Sequence, residues 1–190
     1  MTIVPVEQND FGFGRSYEIE LNPELPSAGG WSIPVFIFGD RGDETLTIRV
    51  TPDHGQPWVA SFALETRGVL NGVYACPGKE QLMVLAGSNG FLIRANNPNA
   101  TEKLPIHPTL HVTRPAGTDL LVVNSFTDAV AVDGNGIRWT TDRLFVDDFE
   151  SVTGPPGKIL VRGTFNVVPS ETKVLELDPA TGRVVREAVS

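Results

Sequence analysis

Two histidines stand four residues apart in His107-Pro108-Thr109-Leu110-His111. In a strand that spacing places both on one side of the sheet, a start for metal ligation. Zinc needs three or more protein ligands, and no cysteine or third histidine is near them in the sequence. Only carboxylates such as Asp142, Asp147, Asp148 or Glu150 would complete a set, and only through folding. Asp147, Asp148 and Glu150 also form a local acidic cluster of the kind calcium prefers. Their spacing lacks the glycine and terminal glutamate of the twelve-residue calcium loop, so the cluster reads as a solvated loop. No metal is expected.

The other chemistry-bearing residues resolve in the same direction. Cys76 is the single cysteine, directly before Pro77, and no histidine neighbours it to act as a base. It reads as a small buried residue at a strand end. No Gly-x-Ser-x-Gly elbow is present. Phe11-Gly12-Phe13-Gly14-Arg15-Ser16-Tyr17 contains Gly-x-Gly without a third glycine or a following helix, so it is no nucleotide fingerprint and no cofactor is expected. Asp133-Gly134-Asn135-Gly136 reads as a hairpin turn rather than a calcium loop. Arg41-Gly42-Asp43 and the sequon Asn99-Ala100-Thr101 are short triplets that occur by chance, and both are discounted. Trp31, Trp58 and Trp139 each stand at a turn or strand end, where an aromatic caps a sheet or anchors a partner. Trp58, after Gln56-Pro57, is the first choice for an exposed contact. Trp139, Asp147 and Asp148 complete the candidate partner-contact residues.

The elements that would position these residues are strands. Val, Ile, Thr and Phe are plentiful, alternation is short, and turn residues interrupt it every five to ten positions. Only 140–149 and the last few residues read as able to hold a helical turn. With 190 residues, 41% of them hydrophobic, the chain has enough apolar material for a core. The net charge of −8 and the scatter of its 15 Lys and Arg argue against nucleic acid and anionic membrane as partners. No apolar run reaches the roughly 20 residues that span a bilayer. Met1 is followed by neither a basic nor a long apolar segment, so the expected location is cytoplasmic.

Within the last two thirds one pattern recurs. Pro77, Pro115 and Pro155 stand 38 and 40 residues apart. Each opens a Gly-containing turn and is followed five residues later by an apolar strand starting at Leu82, Leu120 or Leu160. A short alternating strand precedes each Pro. A third strand follows across a polar turn, over 91–94, 129–133 and 173–178. Two fourth strands, 137–140 and 183–187, follow the turns Asp133-Gly134-Asn135-Gly136 and Asp178-Pro179-Ala180-Thr181-Gly182. In the first 68 residues, 15–21, 32–38, 44–50 and 57–64 read as further strands.

A four-strand unit of about 40 residues is the period of a propeller blade. Over 69–190 the chain resembles WD-repeat and YVTN-type β-propellers, through Pro77…Leu82, Pro115…Leu120, Pro155…Leu160 and the turns that end the third strands. The Gly-His and Trp-Asp signatures are missing, since Trp139 is followed by Thr140. The expected fold is all-β, built of antiparallel meander repeats as a small four-bladed or incomplete β-propeller, with a β-sandwich as the alternative. Residues 1–68 are an N-terminal β region, a degenerate first blade, and 69–190 are three blade-like repeats in one compact unit. The expected function is a non-enzymatic binding or scaffold module that recognises a protein partner through loops or a sheet edge. Two alternatives stand beside it. One is a metal-dependent hydrolase of the propeller-lactonase kind, with Asp119, Asn124, Asp128 and His111 as its candidate residues. The other is a structural subunit that self-associates.

Overall fold

A computed structural model describes residues 5–24, 26, 29–39, 44–64 and 70–188. Among them the regular elements are all strands: β1 (Glu7–Asn9), β2 (Tyr17–Leu21), β3 (Val35–Phe38), β4 (Thr45–Pro52), β5 (Trp58–Ala63), β6 (Gly72–Ala75), β7 (Gln81–Ala86), β8 (Asn89–Arg94), β9 (Asn97–Lys103), β10 (His111–Thr113), β11 (Leu121–Asn124), β12 (Ala129–Asp133), β13 (Gly136–Thr140), β14 (Asp147–Val152), β15 (Ile159–Asn166), β16 (Glu171–Leu177) and β17 (Val184–Ala188). The fold is all-β. Among the described residues, the helical turns expected at 140–149 and at the end of the chain do not form. Residues 184–188 are a strand, and the peptides after β13 bond elsewhere: the N–H of Leu144 donates to Thr127 O (2.8 Å) and that of Val146 to Thr164 O (2.8 Å).

The strands make four sheets, ordered β2-β4-β5-β3, β1-β6-β7-β8-β9, β10-β11-β12-β13 and β14-β15-β16-β17. The last two are antiparallel meanders in chain order, and β6 to β9 form a third. Pro77, Pro115 and Pro155 each lie between the first and second strands of one of these meanders. Two pairings are parallel. β1 adds in parallel to β6, and β3 lies parallel to β5 on the side of β5 away from β4. β9, the polar segment Asn97–Lys103, is a fourth strand with no counterpart among the strands expected from sequence.

The chain divides into two compact units, Met1–Ala75 with Lys79–Lys103, and Cys76–Gly78 with Leu104–Ser190. The boundary expected at 68/69 lies outside the described residues, as does Arg41-Gly42-Asp43. In the first unit, β4 alternates: Leu46, Ile48 and Val50 are buried while the residues between them reach solvent. They meet Trp58, Ala60 and Phe62 from β5, and Leu82, Val84, Phe91 and Ile93 from the adjacent sheet. Phe38, Phe62 and Phe91 pack at 5.0–5.7 Å between ring centroids. β7, Gln-Leu-Met-Val-Leu-Ala, does not alternate because it is buried on both faces.

In the second unit, Val122, Ala129, Ala131 and Trp139 of one sheet close on Phe145, Phe149, Ile159, Val161, Leu175 and Leu177. Both units use an indole to tie sheet to sheet. Trp58 Nε1, on β5, donates to Ala95 O in the β8–β9 turn at 2.7 Å. Trp139 Nε1, on β13, donates to Pro179 O in the β16–β17 turn at 2.9 Å. The Trp139 ring lies flat against Gly182, whose φ is +71°, and a Cβ there would sit 2.6 Å from the ring. A glycine is therefore required twice over at 182, for its backbone angle and for the space it leaves.

Two outcomes are expected in urea unfolding. Trp58→Phe keeps an aromatic ring but, smaller and without the N–H donor, strands the carbonyl of Ala95 and leaves space beside it, costing roughly 1–3 kcal/mol. Gly182→Ala combines a strained φ with overpacking and costs about as much. A loss below about 0.5 kcal/mol in either variant would show that the indole contacts do not hold the sheets.

Candidate functional site

The second unit has a cleft of about 540 Å³ at the end where β10 and β14 begin. Its wall includes His111, Phe126, Asp148, Phe149, Glu150 and Arg162. β14 shapes it through a register shift against β15 between Asp147 and Glu150. Such a bulge leaves extra residue unpaired and redirects side chains. Asp148 takes up the irregularity with φ of +56°, a backbone angle that a short Asp tolerates better than most residues. Asp147 Oδ1 accepts from the N–H of Asp148 at 2.9 Å, and Asp148 Oδ2 accepts from Thr164 Oγ1 at 3.0 Å. Glu150 stands opposite Arg162 on β15 and forms an ion pair with it.

Phe126 gives the cleft an apolar lip, and further apolar side chains are exposed beyond the lining. Phe126 projects from the β11–β12 turn, and Phe165, Val167 and Val168 occupy the end of β15 and the turn after it. Val168 is 89% exposed and Val167 68%. Lys173 Nζ lies 4.4 Å from the centre of the Phe165 ring. Beneath the lip, Asn124 is fully buried. Its Nδ2 donates to Phe149 O (2.9 Å) and Ser125 O (3.0 Å), holding the β11–β12 turn to β14. Sequence reasoning missed Phe126, Phe149 and Arg162. The signal for Phe126 was a large apolar side chain inside the otherwise polar turn Ser125-Phe126-Thr127-Asp128.

The residues singled out from sequence separate as follows. Asp148, Glu150 and His111 come together in the cleft, and Asp147 is exposed beside Asp148. Trp58 is 2% exposed and Trp139 7%, so the expectation of exposed tryptophan contacts is corrected: both rings are spent on the carbonyls of neighbouring turns. Asp119 pairs with Arg114 at 3.4 Å, Asp128 accepts from Ser125 Oγ, and Asn124 is the buried tie already described. With His111 on the strand edge, these four do not share a ligand set. Among the described residues no three His, Cys, Asp or Glu side chains gather around a point where a metal ion would sit. His107 is exposed outside the cleft lining. The Gly-x-Gly segment after β1 is a turn fastened by Asn9 Oδ1 to the N–H of Phe11 (2.8 Å) and Asp10 Oδ1 to the N–H of Gly12 (2.9 Å). Among the described residues no helix is long and apolar enough to cross a membrane.

Cys76 is wholly buried, and burial pushes its thiol far above the ordinary cysteine range. It should react with a disulfide reagent such as dithiobis-nitrobenzoate only as fast as the chain opens. Equal labelling rates in native buffer and in 6 M guanidinium would contradict that burial. No protein-family model matches the chain, and no curated protein matches it.

Proposed function

We propose that this chain is a binding module that recognises a partner protein through the loop end of its second unit. One observation carries the reading: a charged cleft is lined by the exposed ring of Phe126, and the β15–β16 hairpin that forms part of its wall leaves Val167 and Val168 in water at its turn. Apolar groups beside convergent polar ones are how protein-recognition surfaces are built. The lip supplies apolar area, and Asp148, Glu150 and Arg162 supply directional contacts. The acidic balance of the chain, at −8, favours a partner that is not itself strongly acidic.

A finer fold reading accompanies it. The four sheets are blades of a small β-propeller, with 1–68 supplying the irregular first blade and 69–190 the other three. Three sheets with meander order, each with a Pro-containing turn between its first two strands, support this. Propellers commonly bind partners at the ends of their sheets, where the loops gather, which is an argument by analogy.

A displayed library of random peptides, panned on the purified chain, tests the function. Enriched peptides should bind wild type and lose at least tenfold in affinity for a Phe126→Ser, Val168→Asp double variant. Both positions are exposed, so the circular dichroism spectrum and melting curve should be unchanged. No enrichment on wild type, or equal affinity for both proteins, would sink the reading.

A further inference from the structure

The outer edge of the last sheet carries a separate observation, independent of the cleft. β17 reads Val184-Val185-Arg186-Glu187-Ala188 and pairs only with β16 among the described strands. Val184 is 45% exposed and Val185 59%. An exposed edge with apolar side chains is a template for another strand. The outer strand β9 is protected differently: it contains Pro98, Glu102 and Lys103.

The charges along β17 select a partner. Residue 186 is engaged within the sheet, where Arg186 Nη2 lies 2.8 Å from Glu176. Glu187 gives one oxygen, Oε2, to Lys173 at 3.2 Å, and Arg183 is exposed immediately before the strand. Consider an antiparallel strand of the same sequence laid against this edge. A register centred on Val185 places Arg183 opposite Glu187 twice and Val185 opposite itself. A register centred on Arg186 sets arginine against arginine, and one centred on Glu187 sets glutamate against glutamate. Opposite charges directly across a strand pair stabilise it and like charges destabilise it. The self-pairing centred on Val185 is thus the register that the charges favour.

We infer that β17 pairs antiparallel with β17 of a second copy of this chain, about a two-fold axis at Val185. The contact is isologous, so it closes as a dimer and does not propagate. A strand edge of this length buries less than the ~1,000 Å² of a stable interface, so the dimer population depends on concentration.

Sedimentation velocity on the full chain across a hundredfold concentration range tests this. Wild type should move from monomer to dimer as concentration rises. Arg183→Glu alone and Glu187→Arg alone should each raise the midpoint at least tenfold, because each opposes like charges twice. An equimolar mixture of the two variants should recover the dimer, since each chain then offers the complement of the other. Val185→Asp, at an exposed position with an unchanged melting curve, should abolish the dimer and serves if Glu187→Arg disturbs the fold through Lys173. A wild type that stays monomeric throughout overturns the inference. So does a dimer indifferent to Val185→Asp, a failure of the mixture to recover two well-folded variants, or growth beyond the dimer. The last would indicate pairing of β17 with a different edge, such as β3 with its exposed Ile37.

Discussion

An indole cannot be buried without a partner for its N–H, and this constraint organises both halves of the chain. Trp58 and Trp139 each meet it by reaching across to a carbonyl in the turn that joins the last two strands of the next sheet, at Ala95 and Pro179. The bond fixes the height of one sheet against the other, and the ring fills the gap beneath it. Other polar ties run between the same sheets. Tyr17 donates its hydroxyl to Gln81 O at 2.8 Å in the first unit, and Thr113 donates to Ser151 at 3.0 Å in the second. Each depends on the sheets already being at the separation that the indoles set.

The cleft follows from that arrangement. With two sheets held together through Trp139 and Asn124, the ends of β10 and β14 stand side by side, and the bulge at Asp147 turns Asp148 toward the space between them. The Glu150–Arg162 pair lies across β14 and β15 on that wall. The site is therefore a product of strand irregularity and sheet docking, with no long loop required.

Strand content was legible in the sequence because local rules produce it. Alternation located β2, β4 and β5, and Pro-Gly turns followed by apolar runs located β7, β11 and β15. What stayed hidden depends on distant partners. β9 has the composition of a loop and becomes a strand only because β8 offers it an edge. The parallel pairings of β1 and β3 leave no local mark, since neither partner is next in the chain. Trp58 looked exposed because its neighbours Gln56 and Pro57 are turn residues, and the carbonyl that buries it lies 37 positions away. The acidic residues of the cleft were visible at Asp148 and Glu150. Their companions Phe126 and Arg162 were not, because five separate strands and turns contribute to one wall.

The parallel attachment of β1 to β6 sets an order of events in time. Glu7 pairs with Gly72 and Asn9 with Tyr74, and Tyr74 also donates its hydroxyl to Glu7 Oε2 at 3.3 Å. Those contacts close a loop of more than sixty residues, whereas every other strand of that sheet finds its neighbour across a short turn. Loop-closure entropy opposes such a pairing until the intervening strands have condensed. β1 is accordingly expected to dock after the strands that lie between it and β6. Until Glu7–Asn9 return to cover it, β6 presents a bare edge.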